Sequence, residues 1–127
     1  MAEKIVLADT SLLIDFFRKS DKSKSQLVSL IRKGFCICVI TEYEIYSGAT
    51  EQQLEYWQEF LKKITVINLD QSAVKEAVNI NNQLKAERKQ IDLADLFIAA
   101  IAISNNLPVA TLNKKHFDRI ESLLLVE

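Results

Sequence analysis

Glycine and proline are scarce in this 127-residue chain, with two of the first and one of the second. A loop that cradles phosphates needs several glycines where the backbone approaches its ligand, so P-loop and dinucleotide-binding chemistry is excluded. Neither sign of charge is in surplus. Sixteen Lys and Arg stand against seventeen Asp and Glu, a formal net charge of −1, so any polyanion would have to be held by a local patch. No apolar run approaches the ~20 residues that cross a bilayer. The first residues lack the basic start, apolar stretch and small-residue cleavage site of a secretory leader, and the expectation is a cytoplasmic protein. Histidine occurs once and cysteine twice, which leaves no Cys/His zinc set. Cys36 and Cys38 alternate in a strand-like run, so they share a face without bridging comfortably. They read as small buried hydrophobes of a reducing compartment.

What is present is an ordinary globular balance, 49% hydrophobic and 26% charged, enough for one domain over residues 1–127. Residues 5–8 form a continuous apolar run, as in a strand covered on both faces. Asp9-Thr10-Ser11 supplies helix-capping side chains, and Leu12-Leu13-Ile14 opens a helical turn. After a polar break at 19–24, residues 26–33 read as helix, stopped by Gly34. A second buried strand is expected at 35–40, then a short helix from Thr41-Glu42-Tyr43-Glu44 to Gly48. The helix at 51–63 carries an apolar stripe through Leu54, Trp57 and Leu61 towards Ile64, a surplus that self-association would cover. Trp57 and Phe60 lie on that stripe as core or dimer contacts. A third strand is expected at 65–69. Asp70 caps a long helix with Ala73, Ala77, Ile80 and Leu84 inward. Asp92-Leu93-Ala94-Asp95 opens a nearly wholly apolar helix to 104. A fourth strand at 108–112, a turn and short helix at 113–120, and a fifth strand at 123–126 complete the chain. Strands alternating with helices across short joints predict a three-layer α/β/α sandwich with a central parallel sheet of four to five strands.

Asp9, Asp15, Glu44, Asp92 and Asp95 fall at or near the predicted helix starts. Each has a plain explanation. Asp9 caps a helix, Thr41-x-x-Glu44 fits a capping box and Asp92-x-x-Asp95 resembles one, at ~0.3–1 kcal/mol apiece for a negative group there. Asp15 reads as a surface partner of Arg18. Three features point further. The strand-to-helix joints of a parallel sheet gather at its carboxyl edge, where ligands bind, and Asp9 and Glu44 follow strands directly. Asp95 shares a stripe with Ile98, Ala99 and Ala102, and no Lys or Arg occurs between Gln90 and Asn113 to pair with it. Ser47 and Gly48 leave space beside Glu44. Carboxylates brought together in this way repel unless a cation lies between them. Oxygen ligands without Cys or His suit Mg²⁺ or Mn²⁺, and such an ion activates water and stabilises charge at a phosphodiester. Asp9 and Asp95 are then direct ligands, while Glu44 binds a second metal or orients the attacking water.

Four motifs carry a resemblance over nearly the whole chain: Leu7-Ala8-Asp9-Thr10-Ser11-Leu12-Leu13-Ile14-Asp15, Ile40-Thr41-Glu42-Tyr43-Glu44-Ile45-Tyr46-Ser47-Gly48, Asp92-Leu93-Ala94-Asp95-Leu96-Phe97-Ile98-Ala99-Ala100, and Thr111-Leu112-Asn113-Lys114-Lys115-His116-Phe117. In this order and spacing the chain resembles PIN-domain nucleases of the small VapC-like toxin kind. The resemblance implies a metal-dependent endoribonuclease with an acidic core of Asp9, Glu44 and Asp95. It also implies Thr10, Ser11, Thr111 and Asn113 as polar support, a homodimer, an RNA substrate and a cognate antitoxin. Many members of that family have a fourth Asp where this chain has His116. Either Asp92 takes part of that role or it caps its helix; either His116 positions a phosphate or water, or it is an exposed loop residue.

Basic residues recur at Lys85, Arg88 and Lys89, which lead into the third motif, and at Lys114, Lys115 and Arg119, beside the last. Both groups are candidates to flank an RNA groove. Two other functions compete. A phosphatase using Asp9 as nucleophile would want a second acid two residues on, where Ser11 stands. A catalytically impaired PIN-like module would bind RNA or protein through the same edge.

Overall fold

The computed structural model describes residues 5–126. Four strands, β1 (Val6–Ala8), β2 (Phe35–Cys38), β3 (Val66–Ile67) and β4 (Val109–Ala110), form one parallel sheet in the order β3-β2-β1-β4. Between and after them run α1 (Thr10–Arg18), α2 (Gln26–Lys33), α3 (Val39–Gly48), α4 (Glu51–Leu61), α5 (Gln71–Ala86), α6 (Leu93–Ser104) and α7 (Lys114–Phe117), with a 3₁₀ turn at Lys22–Lys24. The strands are covered on both faces, and alternate residues divide between two cores. Leu7, Cys36, Cys38 and Val109 face α5 and α6, packing with Ala77, Ile80, Ile98 and Phe117. Val6, Ala8, Ile37 and Ala110 face the other way, towards Leu12, Leu27, Ile45 and Trp57. Three layers result, as the alternation of elements predicts.

Local chemistry places the helix ends. Asp9 caps α1, Ser25 caps α2 and Asp70 caps α5, each accepting from backbone N–H groups one turn in. Thr50 and Gln53 make a reciprocal capping box at α4. Gly34 ends α2 at φ 89°, a conformation glycine adopts without strain. No helix of the described residues is long and apolar enough to cross a membrane. Both cysteines are buried and free, and burial raises both thiols, Cys36 to about 11.

The strands are shorter than their apolar runs. The third and fourth shrink to two residues each, and the fifth becomes a single parallel bridge from Leu125 to Val109. The largest departure follows Cys38, where α3 begins at Val39, two residues ahead of the expected boundary. Val39 and Ile40 are β-branched and apolar, and a short buried run of that kind does not distinguish a strand end from a helix start. Thr41 therefore lies inside the helix, fully buried, and cannot cap it. The capping-box account of Thr41 and Glu44 falls with that shift.

Candidate active site

Asp9 directly follows β1 and Thr111 directly follows β4, side by side, because the two strands pair in register and the Asp9 N–H donates to the Ala110 carbonyl (3.1 Å). Asp9 is only 2% exposed. Its Oδ1 accepts from the Ser11 hydroxyl (2.6 Å) and from the N–H groups of Ser11 and Leu12 (3.1 and 3.4 Å). Its Oδ2 accepts from the Thr111 hydroxyl (2.5 Å). Those hydroxyls are themselves oriented. The Leu112 N–H donates to Ser11 Oγ (3.0 Å) and the Asn113 N–H to Thr111 Oγ1 (2.9 Å). An amide can only donate, so each hydroxyl proton is left to point at Asp9. Ser11 and Thr111 thus join the first and last motifs through one carboxylate.

Glu44 projects from α3, the helix that follows β2. The Thr10 hydroxyl donates to Glu44 Oε1 (2.6 Å) and lies 3.1 Å from the hydroxyl oxygen of buried Thr41. Asp95 sits in the first turn of α6, its side chain 18% exposed, with Oδ2 3.1 Å from His116 Nδ1. Asp9, Thr10, Ser11, Asp15, Glu44, Asp95 and Asn113 all line one cleft of about 630 Å³. Burial drives the Asp9 carboxyl above its ordinary 3.8. Hydrogen bonds from Ser11, Thr111 and Leu12 oppose the rise, and the nearby Asp95 charge adds to it.

Other assigned residues fall elsewhere. Asp92 occupies the N-cap position of α6, yet its side chain makes no capping bond and is exposed outside the cleft. Asp15 pairs with Lys19 (3.3 Å), one residue beyond the expected Arg18, since i,i+4 brings the two heads closer on this helix face. Both of those bases line the cleft. His116 is not merely an exposed loop residue, because it is the partner of Asp95. Lys114 and Lys115 wall the neighbouring cavity, Arg88 and Lys89 a further one, while Lys85 is exposed and lines neither. Sequence reasoning missed Thr41 as a buried neighbour of Thr10. A hydroxyl-bearing β-branched residue directly after a buried strand was the available signal.

The donor set is all oxygen, apart from His116 at its margin, which suits a hard divalent cation. Among the described residues no three Asp, Glu, His or Cys side chains stand close enough together to enclose an ion by themselves. An open cleft lined by Asp9, Glu44 and Asp95 instead fits a divalent cation that keeps several waters and takes one or two carboxylates.

The sequence model of the PIN domain matches residues 6–123. The chain belongs to the PIN-domain family. Among its relatives, Ribonuclease VapC1 of Methanocaldococcus jannaschii is 37% identical over 120 residues, covering 94% of this PIN chain and 83% of its own. The DNA-bound VapBC of Salmonella typhimurium shares the fold with a TM-score of 0.86, at 24% identity over 97% of each chain. A toxin–antitoxin complex from Klebsiella pneumoniae matches with a TM-score of 0.76 and 27% identity, over 94% of this chain and 95% of that one. Within the family this PIN domain groups with the VapC proteins.

Proposed function

We propose that this PIN domain is a divalent-metal-dependent endoribonuclease that hydrolyses RNA phosphodiester bonds and serves as the toxin of a toxin–antitoxin pair. The observation that carries the reading is one cleft lined by Asp9, Glu44 and Asp95 from three separate elements, with Asp9 buried and held by oriented hydroxyls. Asp9 and Asp95 would hold Mg²⁺ or Mn²⁺, with Glu44 at a second position or aligning the attacking water. Such an ion, when bound, would supply an acidic water and offset charge on the phosphodiester. Ser11 and Thr111 keep Asp9 an acceptor, Thr10 fixes the Glu44 rotamer, and His116 orients Asp95. Hydrogen bonds of this kind hold ligands in place before the substrate arrives.

A cytoplasmic protein, an antitoxin partner and a homodimer complete the proposal. An apolar groove of about 850 Å³ between α2 and α4, lined by Ile31, Phe35, Tyr56, Phe60 and Ile64 and sharing no residue with the cleft, supports protein association. Cleavage of RNA with Mg²⁺ or Mn²⁺ tests the activity. The wild-type chain should cut, and Asp9→Asn and Asp95→Asn should not. Cutting by both variants at the wild-type rate defeats the assignment. The contact of His116 with Asp95 favours a second reading, an impaired module that binds without cutting. That reading requires Asp9→Asn to leave the calorimetric response to Mn²⁺ unchanged.

A further inference from the structure

The acidic cleft continues past its own acids. Leu112 and Asn113 also wall the adjoining cavity of about 370 Å³, together with Gln26, Lys114, Lys115 and His116. Lys115 in turn belongs to a cavity of about 400 Å³ whose other walls are Arg88, Lys89, Asp118 and Arg119. Shared residues therefore lead from the three carboxylates to a pocket of four cations and one acid. Among the described residues, none of those four cations makes an ion pair.

Arg88 stands at a place where the backbone favours another residue. The Lys89 N–H donates to the Leu84 carbonyl (2.8 Å) and the Arg88 N–H to the Lys85 carbonyl (3.2 Å), the two bonds of a Schellman turn closing α5. Arg88 is thereby left-handed, at φ 57°. Glycine is the usual occupant there, because a Cβ is disfavoured in that region. A long cation kept at such a position is a backbone outlier of the kind that gathers at ligand clamps. Arg119 holds the same turn from beyond α7. One guanidinium nitrogen donates to the carbonyls of Gln90 (3.0 Å) and Lys89 (3.4 Å), and the other nitrogens of the fork make no hydrogen bond among the described residues.

We propose that this pocket is a subsite for the phosphodiester backbone of the RNA, holding phosphates a few nucleotides from the bond at Asp9 and Asp95. The inference rests on the nuclease reading of the cleft. With a net charge of −1 the chain has no general attraction for RNA, and its acidic centre repels phosphate until a cation is bound. A cationic pocket one cavity away supplies the local attraction. Planar guanidinium groups match phosphate oxygens in pairs, and Lys89 and Lys115 add point charges.

The test measures binding of a labelled single-stranded 12-nucleotide RNA, without divalent ions, to the full chain and to Arg88→Gly, Lys115→Gln and the double variant. Expected is at least a tenfold weaker complex for the double variant. The slope of log affinity against log salt should fall by about 0.7 for each charge removed. Arg88→Gly should also melt no lower than wild type, since glycine suits the turn, which separates lost binding from lost folding. Unchanged affinity, weaker binding at an unchanged salt slope, or variants that lose a protein partner but keep RNA would each overturn the subsite. Cleavage by the wild-type chain with Mg²⁺ is scored separately. If it cuts while the variants bind normally, the subsite alone fails; if it never cuts, the nuclease reading fails.

Discussion

Asp9 carries two jobs on one carboxylate. Oδ1 caps α1, while Oδ2 accepts from the hydroxyl of Thr111, just beyond β4 and 102 positions away in sequence. The capping bonds and the bond to Thr111 therefore use different oxygens, which only the fold reveals. Burial raises its pKa above 3.8, so folded protein retains the proton to higher pH than unfolded protein does. Stability from this group is full below 3.8 and is lost as pH rises through the raised value. At neutral pH the ionised group is a cost to folding that Asn removes. Asp9→Asn should then melt at or above the wild-type temperature in chelator, while its cleavage rate drops by a factor on the order of 10²–10³ or more. Calorimetric melting and a gel assay check the two halves. A markedly lower melting temperature for the variant would show that the charge itself holds the fold. In chelator the Asp9 carboxyl should also take up its proton, as pH falls, at a higher pH than an ordinary aspartate would. Thr10→Val removes the donor to Glu44 at nearly constant volume. Turnover should drop about tenfold with the melting temperature little changed, the effect of losing one hydrogen bond to a charged group.

At the scale of elements, the patterned segments were legible and the short joints were not. The stripe of Ala73, Ala77, Ile80 and Leu84 on α5 lies in the core as its spacing predicts, and α6 is as buried as its composition requires. Gly34, Asp70 and the polar break at 19–24 sit where they punctuate the chain. Val39 and Ile40 defeat the same reasoning, since their branched side chains fit a strand and their contacts decide for a helix. The His116–Asp95 pair was hidden for a different reason: 21 residues separate them, and only the docking of α7 beside α6 brings the ring to the acid. Small residues let α5 and α6 approach closely, with Ala99, Ala100 and Ala102 wholly buried. Ala99→Leu should therefore cost about 1–3 kcal/mol in urea unfolding through overpacking. No loss would mean that the helices leave room the packed core does not have.

Across the whole molecule, a parallel sheet of short strands delivers side chains from four distant motifs to one edge, and the layers on either face leave that edge open. Four motifs in order, with the resemblance they carry, were enough to infer the fold and to bring Asp9, Glu44 and Asp95 to one cleft, but not to see that Asp15 lines it and Asp92 lies outside. Charge was less informative. The sequence shows the two basic groups well apart along the chain, and only the fold joins Arg88 and Lys89 to Lys115 and Arg119 around one pocket. The expected apolar surplus of α4 divides in the fold: Trp57 and Leu61 are buried in the core, while Phe60 and Ile64 line the groove with Tyr56.

The central claim is that Asp9 and Asp95 form a cation centre. Titration of Mn²⁺ into the chain, followed by calorimetry, tests it most directly. Saturable binding by wild type, absent in both Asp9→Asn and Asp95→Asn while the variants remain folded, is the predicted result. Binding of equal strength in all three proteins, or in none, would contradict it.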